Sequence, residues 1–198
     1  TKNITIIGHV EGNTFLNTIT GKLRVSNKAK VTFQNLWMSV VENNNMFRIT
    51  GEAEVTFENC VLQSEFPENE HFLLFSEEKS KVNFKEFTTK LPDKHQLGMK
   101  FVHSTVSIQD STIQNRLWIR ENSELEFVRS KMECSRPTSL WIEDSKLSIS
   151  SSQVSGTFEG GSQAVLNASK SEVLIEDSLI QGVGKDYYTI YLQKSCTG

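Results

Sequence analysis

The chain has 198 residues, 37% hydrophobic and 23% charged, with a formal net charge of -3. That balance belongs to a folded globular protein rather than a disordered one, and it argues against a nucleic-acid partner because no basic excess is available to neutralise phosphates. No apolar run approaches the length of a membrane span, and three prolines are too few for Pro-rich linkers.

The opening, TKNITIIGHVEG, alternates like a strand and lacks the long apolar core of a signal peptide, which leaves open a leader removed ahead of Thr1. The stretch up to Asn17 is expected to make an atypical first coil. From there one unit recurs: KVTFQNL, EVTFENC, KVNFKEF, TVSIQDS, ELEFVRS, KLSISSS and EVLIEDS. Their first apolar residues are Val31, Val55, Val82, Val106, Leu125, Leu147 and Val173, separated by 24, 27, 24, 19, 22 and 26 residues. Inside each unit, apolar and polar residues alternate by two, the mark of a strand with one buried face. The inward pairs run from Val31/Phe33, Val55/Phe57 and Val82/Phe84 to Val173/Ile175.

A second strand precedes each unit: KLRVS, MFRIT, FLLFS, KFVHS, RLWIR, SLWIE, AVLNA and, last, TIYLQ. A shorter apolar patch follows each unit, at Leu36, Leu62, Phe87, Ile113, Met132, Val154 and Leu179. Three short strands in about 24 residues make one turn of a solenoid whose coils stack about 4.8 Å apart. The expected fold is therefore all-β, a single-stranded right-handed parallel β-helix of about 7–8 coils forming one domain over residues 1–198. Helical repeats need apolar spacings of three and four, and leucine-rich repeats need an asparagine ladder with their leucines. Propeller blades need about 40 residues each. None fits. The C-terminal DYYTIYLQKSCTG is apolar and strand-like with no amphipathic cap, so the chain is expected to be a piece of a longer protein, to end at an arbitrary boundary, or to be covered there by a partner.

TVSIQDSTI and EVLIEDSLI follow the form VxIxNSxI, and KVTFQNLWM and KLSISSSQV follow it loosely. In this the chain resembles the pectin-lyase-like right-handed β-helix superfamily along essentially its whole length. The resemblance implies the fold only, because that superfamily holds lyases, hydrolases, epimerases, phage tail proteins and binding modules.

Catalysis in such enzymes lies on outward side chains and flanking loops. The hydrolase pattern of clustered aspartates with Gly-His-Gly is missing; Gly8-His9-Val10 is a fragment of it. SRPTSLWIEDS is similar to a lyase stretch in Arg136, Trp141, Glu143 and Asp144, but no His follows and no aspartates stack on adjacent coils. Glu143 neighbours Arg120 one coil away, which reads as a surface ion pair.

Alternation turns Leu117/Ile119 and Leu140/Ile142 inward, so Trp118 and Trp141 face out on consecutive coils. Tyr191 continues that row two coils later, Lys100 precedes it, and Arg24 and Arg48 hold the same register on the first coils. Such a row suits sugar rings or the centre of a protein interface, where Trp and Arg are enriched; cover by loops or a neighbouring domain is the alternative. Trp37, just after a strand, is expected in a loop cluster. Two insertions on one rim, QSEFPENEHF and TTKLPDKHQLG, carry Glu65, Glu68, Glu70, His71, Asp93 and His95. These have the donor types of a metal site without a ligand motif, and solvated loop tips are the commoner outcome.

Cys60, Cys134 and Cys196 are odd in number and without short spacing, so they form neither a disulfide framework nor a metal knuckle. Cys60 reads as a small buried apolar residue. Free thiols lean towards a reducing, intracellular compartment, and a bacterial surface stays open. No metal or cofactor is implied. The expected function is a non-enzymatic module of a larger, bacterial protein that binds a protein or glycan through Trp118, Trp141, Arg24, Arg48, Arg120, Glu143 and Tyr191, with rim loops at His71, Asp93 and His95. The alternatives are a polysaccharide lyase or glycoside hydrolase of the pectin-lyase-like class, and a structural spacer or assembly element with end-to-end contacts.

Overall fold

The computed structural model describes residues 2–11, 14–15, 17–40, 47–64, 72–90, 98–135, 138–158, 163–184 and 187–193. Among these residues every regular element is a strand, and three parallel sheets of eight strands wind into a right-handed solenoid.

The first sheet stacks the recurring units: Asn3–Ile7, Lys30–Gln34, Glu54–Glu58, Lys81–Lys85, Thr105–Gln109, Glu124–Val128, Lys146–Ser150 and Glu172–Glu176. The second sheet stacks Thr18–Thr20, Trp37–Val40, Val61–Ser64, Thr88–Lys90, Thr112–Gln114, Lys131–Cys134, Gln153–Phe158 and Leu179–Gly184. The third stacks Leu23–Val25, Phe47–Ile49, Leu74–Ser76, Met99–Val102, Leu117–Arg120, Leu140–Glu143, Gln163–Ser169 and Tyr187–Gln193. Among the described residues six coils therefore have a neighbour on both sides, and the first and last have one on a single side. The stretch up to Asn17 contributes a regular first-sheet strand, with a short antiparallel pair, Val10–Glu11 against Thr14–Phe15, inserted before Thr18.

After the first coil, whose link spans residues 8–17, every link from the first sheet to the second has two residues, and the first of them is left-handed. Asn35, Asn59, Glu86, Asp110, Arg129, Ser151 and Asp177 have φ between 45° and 56°. Asn and Asp tolerate this conformation best, and Asn59 Nδ2 donates to Asn35 Oδ1 at 2.8 Å. The N–H of the left-handed residue donates to the next coil's carbonyl, as Asp110 does to Val128 at 3.1 Å. The second residue of the link points inward: Leu36, Cys60, Phe87, Ser111, Ser130, Ser152 and Ser178.

This link corrects part of the repeat. Leu36 and Phe87 sit at the corner rather than in the second sheet, whose inward residues on those coils are Met38 and Thr89. On the last coil Ile180 takes the inward register and Leu179 faces out, 52% exposed. Alternation by two continues only while the backbone stays extended, and the left-handed residue resets the parity.

Inside, Phe33, Phe57 and Phe84 stack with centroids 5.2 Å apart at each step and planes within 11°. Phe47 meets Phe57 edge-on at 5.0 Å. Ile108, Phe127, Ile149 and Ile175 continue the column in register. Cover by the next coil decides burial: Leu166 is 0% exposed, whereas Ile190, stacked on it in the last coil, is 40% exposed.

Serine takes over where the corners are polar. Ser130 Oγ accepts the Ser111 N–H at 3.1 Å and donates to its own Val128 carbonyl at 2.7 Å. Ser123, Ser145 and Ser171 form a second such ladder between the third and first sheets. Each hydroxyl thus satisfies a buried backbone donor that a turn leaves without a sheet partner.

Candidate functional site

The site is built on the third sheet, where three successive strands carry one long or bulky outward residue between two inward apolar ones. Met99 and Phe101, Leu117 and Ile119, and Leu140 and Ile142 are buried, leaving Lys100, Trp118 and Trp141 outside. Parallel pairing without slippage then lines these residues up. One row runs Arg24, Arg48, Phe75, Lys100, Trp118, Trp141, Asn167, Tyr191, each directly paired with the next. Gly98 lets one of these strands enter, because a Cβ there would lie 1.9 Å from the Arg116 carbonyl oxygen.

Trp141 is 39% exposed, and Trp118 is half-buried because Phe72 packs its ring edge-on at 4.8 Å. Phe72 also stacks on Phe75 at 6.3 Å, and the Lys100 ammonium lies 5.5 and 5.6 Å from these two ring centroids. Cation–π attraction of this kind holds Lys100 against the aromatic cluster. Arg48 donates to Glu77 Oε1 from Nη2 at 2.8 Å and from Nε at 3.2 Å. Tyr191 stacks with Tyr188 at 5.2 Å.

Beside this row lies a second one, in which Arg120 pairs with Glu143 and donates to it from Nε at 2.7 Å. Both side chains are about one-third exposed, so the pair is worth about 0–1 kcal/mol. It leaves Glu143 engaged with a cation rather than set towards a proton donor or acceptor.

Sequence reasoning placed Arg24, Arg48, Lys100, Trp118, Trp141 and Tyr191 in one outward register, and the structure brings them into one line. It missed Phe75, Asn167 and the cover from Phe72. Asn167 was hidden because AVLNA laid against SLWIE sets Leu166 opposite Trp141, whereas the strands pair one residue further on. Phe75 was hidden by FLLF, four apolar residues in a row that permit either register. Trp37 is the first residue of a second-sheet strand rather than part of a loop cluster. Phe15 packs edge-on against it at 6.0 Å, and Lys90 lies over its ring at 4.6 Å.

His71, Asp93 and His95 lie outside the described residues, as do Glu65, Glu68, Glu70 and Arg136. The segments 41–46, 65–71, 91–97, 136–137 and 159–162 all lie in sequence between a second-sheet strand and a third-sheet strand, so beyond the first coil most of the variation in period falls between these two sheets. Among the described residues no group of three or more His, Cys, Asp or Glu could hold a metal, and no helix is long and apolar enough to cross a membrane.

A second surface lies at the opposite corner, a shallow groove lined by Asp110, Arg129, Lys131, Gln153 and Asp177. There Arg129 donates to both Asp110 oxygens at 2.8 and 2.9 Å, which holds that carboxyl below its usual range. Cys60 is buried at the same corner, its thiol donating to the Glu58 carbonyl at 3.3 Å, and desolvation pushes its pKa up to about 11. This thiol is inert packing rather than a nucleophile.

Fold and face together define a parallel β-helix carrying an aromatic and cationic row along one sheet. Comparison with family models, with curated proteins and with solved structures finds no match.

Proposed function

We propose that this chain is a binding module, and that its ligand, a protein or a glycan, lies on the row from Arg24 to Tyr191. The observation that carries the reading is the unbroken register of that row, which sets Trp118 and Trp141 side by side between cations and tyrosine. Trp, Tyr and Arg are the residues most often responsible for interface energy. Aromatic faces on a rigid sheet also suit the apolar faces of sugar rings, and a rigid support lowers the ordering entropy lost on binding. The pectin-lyase-like kinship belongs to the same proposal and rests on the TVSIQDSTI and EVLIEDSLI motifs. A lyase or hydrolase would need carboxylates converging in one outward groove. Among the described residues, the carboxylates Glu77 and Glu143 of this face are each paired to an arginine instead.

The test is glycan-array and pull-down binding of the wild type beside a Trp118→Ala/Trp141→Ala double variant. Loss of binding in a variant that keeps its circular dichroism spectrum places the ligand on this row. Equal binding by both proteins removes the reading.

A further inference from the structure

We infer that the row's occupant is a second copy of this chain, packed face to face and antiparallel. This inference rests on reading the row as a binding surface. The row is polarised, with Arg24, Arg48 and Lys100 in its first half and Trp118, Trp141 and Tyr191 in its second. Consider a two-fold axis parallel to the strands, passing between the Lys100 and Trp118 strands. It sets Arg24 of one copy opposite Tyr191 of the other and Lys100 opposite Trp118, two cation–π matches. It also sets Arg48 opposite Asn167, a donor facing an amide oxygen, and Phe75 opposite Trp141, two aromatic rings. Every match occurs twice, as an isologous interface requires.

The other face-to-face symmetry fails. A two-fold axis along the rod would place Arg24 on Arg24, Arg48 on Arg48 and Lys100 on Lys100, with three like charges in contact. In the antiparallel arrangement Glu77 and Glu143 fall opposite each other, but each is already neutralised by an arginine of its own chain, Arg48 or Arg120. The geometry also sets the strength. Eight strands at about 4.8 Å spacing and about 12 Å of strand length cover roughly 400 Å² per copy. That is about half the standard interface area of ~800 Å² per partner, which sets the dimer at the weak, transient end of protein interfaces.

Sedimentation velocity over a concentration series up to about 1 mM tests this, a range that reaches weak, transient dimers. The wild type is expected to dimerise. Tyr191→Arg, which sets two arginines opposite each other, should raise the dissociation constant roughly three- to tenfold. Adding Arg24→Glu to the same chain should restore it by turning each clash into an ion pair. In a Cys196→Ser background, a bismaleimide spanning about 10 Å, the separation of packed sheets, should crosslink a mixture of Arg24→Cys and Tyr191→Cys chains. Neither chain alone should crosslink.

A dimer indifferent to Tyr191→Arg, or an Arg24→Cys chain that crosslinks to itself, overturns the arrangement. A monomer at every concentration overturns the inference as well. If that monomer still captures a foreign protein or glycan that Trp118→Ala/Trp141→Ala releases, the binding reading survives alone. If it captures nothing through the row, both fall.

Discussion

Phe57→Ala tests how the solenoid holds together. Phe57 is fully buried, stacked between Phe33 and Phe84 at 5.2 Å each, with Phe47 edge-on at 5.0 Å and Phe87 tilted at 5.5 Å. Truncating a buried Phe costs about 3–5 kcal/mol. The upper half of that range is expected here, since the cavity is walled by rings that are themselves locked in register. Against a total stability of about 5–15 kcal/mol this is a large fraction. Yet a coil touches only its neighbours, so the loss should be local. Hydrogen exchange read by mass spectrometry should show Lys30–Gln34, Glu54–Glu58 and Lys81–Lys85 losing protection while Lys146–Ser150 keeps it. In urea, fluorescence from Trp37 in the second coil should change before fluorescence from Trp118 and Trp141. Uniform loss of protection along the chain would refute the nearest-neighbour argument. A stability change below about 1 kcal/mol would refute the importance given to the ring stack.

Two further substitutions probe the corners. Cys60→Ser is expected to be tolerated within about 1 kcal/mol by thermal melting, because Ser111, Ser130 and Ser152 occupy the equivalent corner and make the same bond to their own coil's carbonyl. The wild-type thiol also sets a pH dependence. Its pKa rises from 9.0 to about 11 on folding, so its contribution is complete below about pH 9 and is lost as pH climbs towards 11. A drop of about 2–3 kcal/mol across that window, absent in Cys60→Ser, is expected from denaturant midpoints at each pH. Ser123→Ala removes the acceptor at 3.0 Å from the Ser104 N–H and leaves that buried donor unpaired. It should cost about 1–3 kcal/mol in urea unfolding; a neutral result would mean the ladder hydroxyls are not needed to satisfy the turns.

The fold was legible because Val31/Phe33, Val55/Phe57 and their successors alternate by two and return after similar intervals. Only a strand stacked on its own repeat buries such a pattern. Trp118 and Trp141 were legible as a pair for the same reason: Leu117/Ile119 and Leu140/Ile142 leave them a single face. What stayed hidden depended on backbone handedness or on contacts between coils. Apolar content alone cannot distinguish Leu36 and Phe87 at a corner from Leu62 in a strand, because the change of parity comes from left-handed Asn35 and Glu86. Likewise Phe72 against Trp118, or Lys100 over two rings, joins residues from different coils whose approach is set by how the coils stack.

By itself, then, the sequence determined the period, the strand faces and the outward tryptophans, since these follow from local alternation and the burial it demands. Only the closed helix decided the corner parity, the places of Phe75 and Asn167 in the row from Arg24 to Tyr191, and the cover of Trp118 by Phe72. Those depend on which strand lies over which, and parallel stacking settles that only when the whole helix has closed.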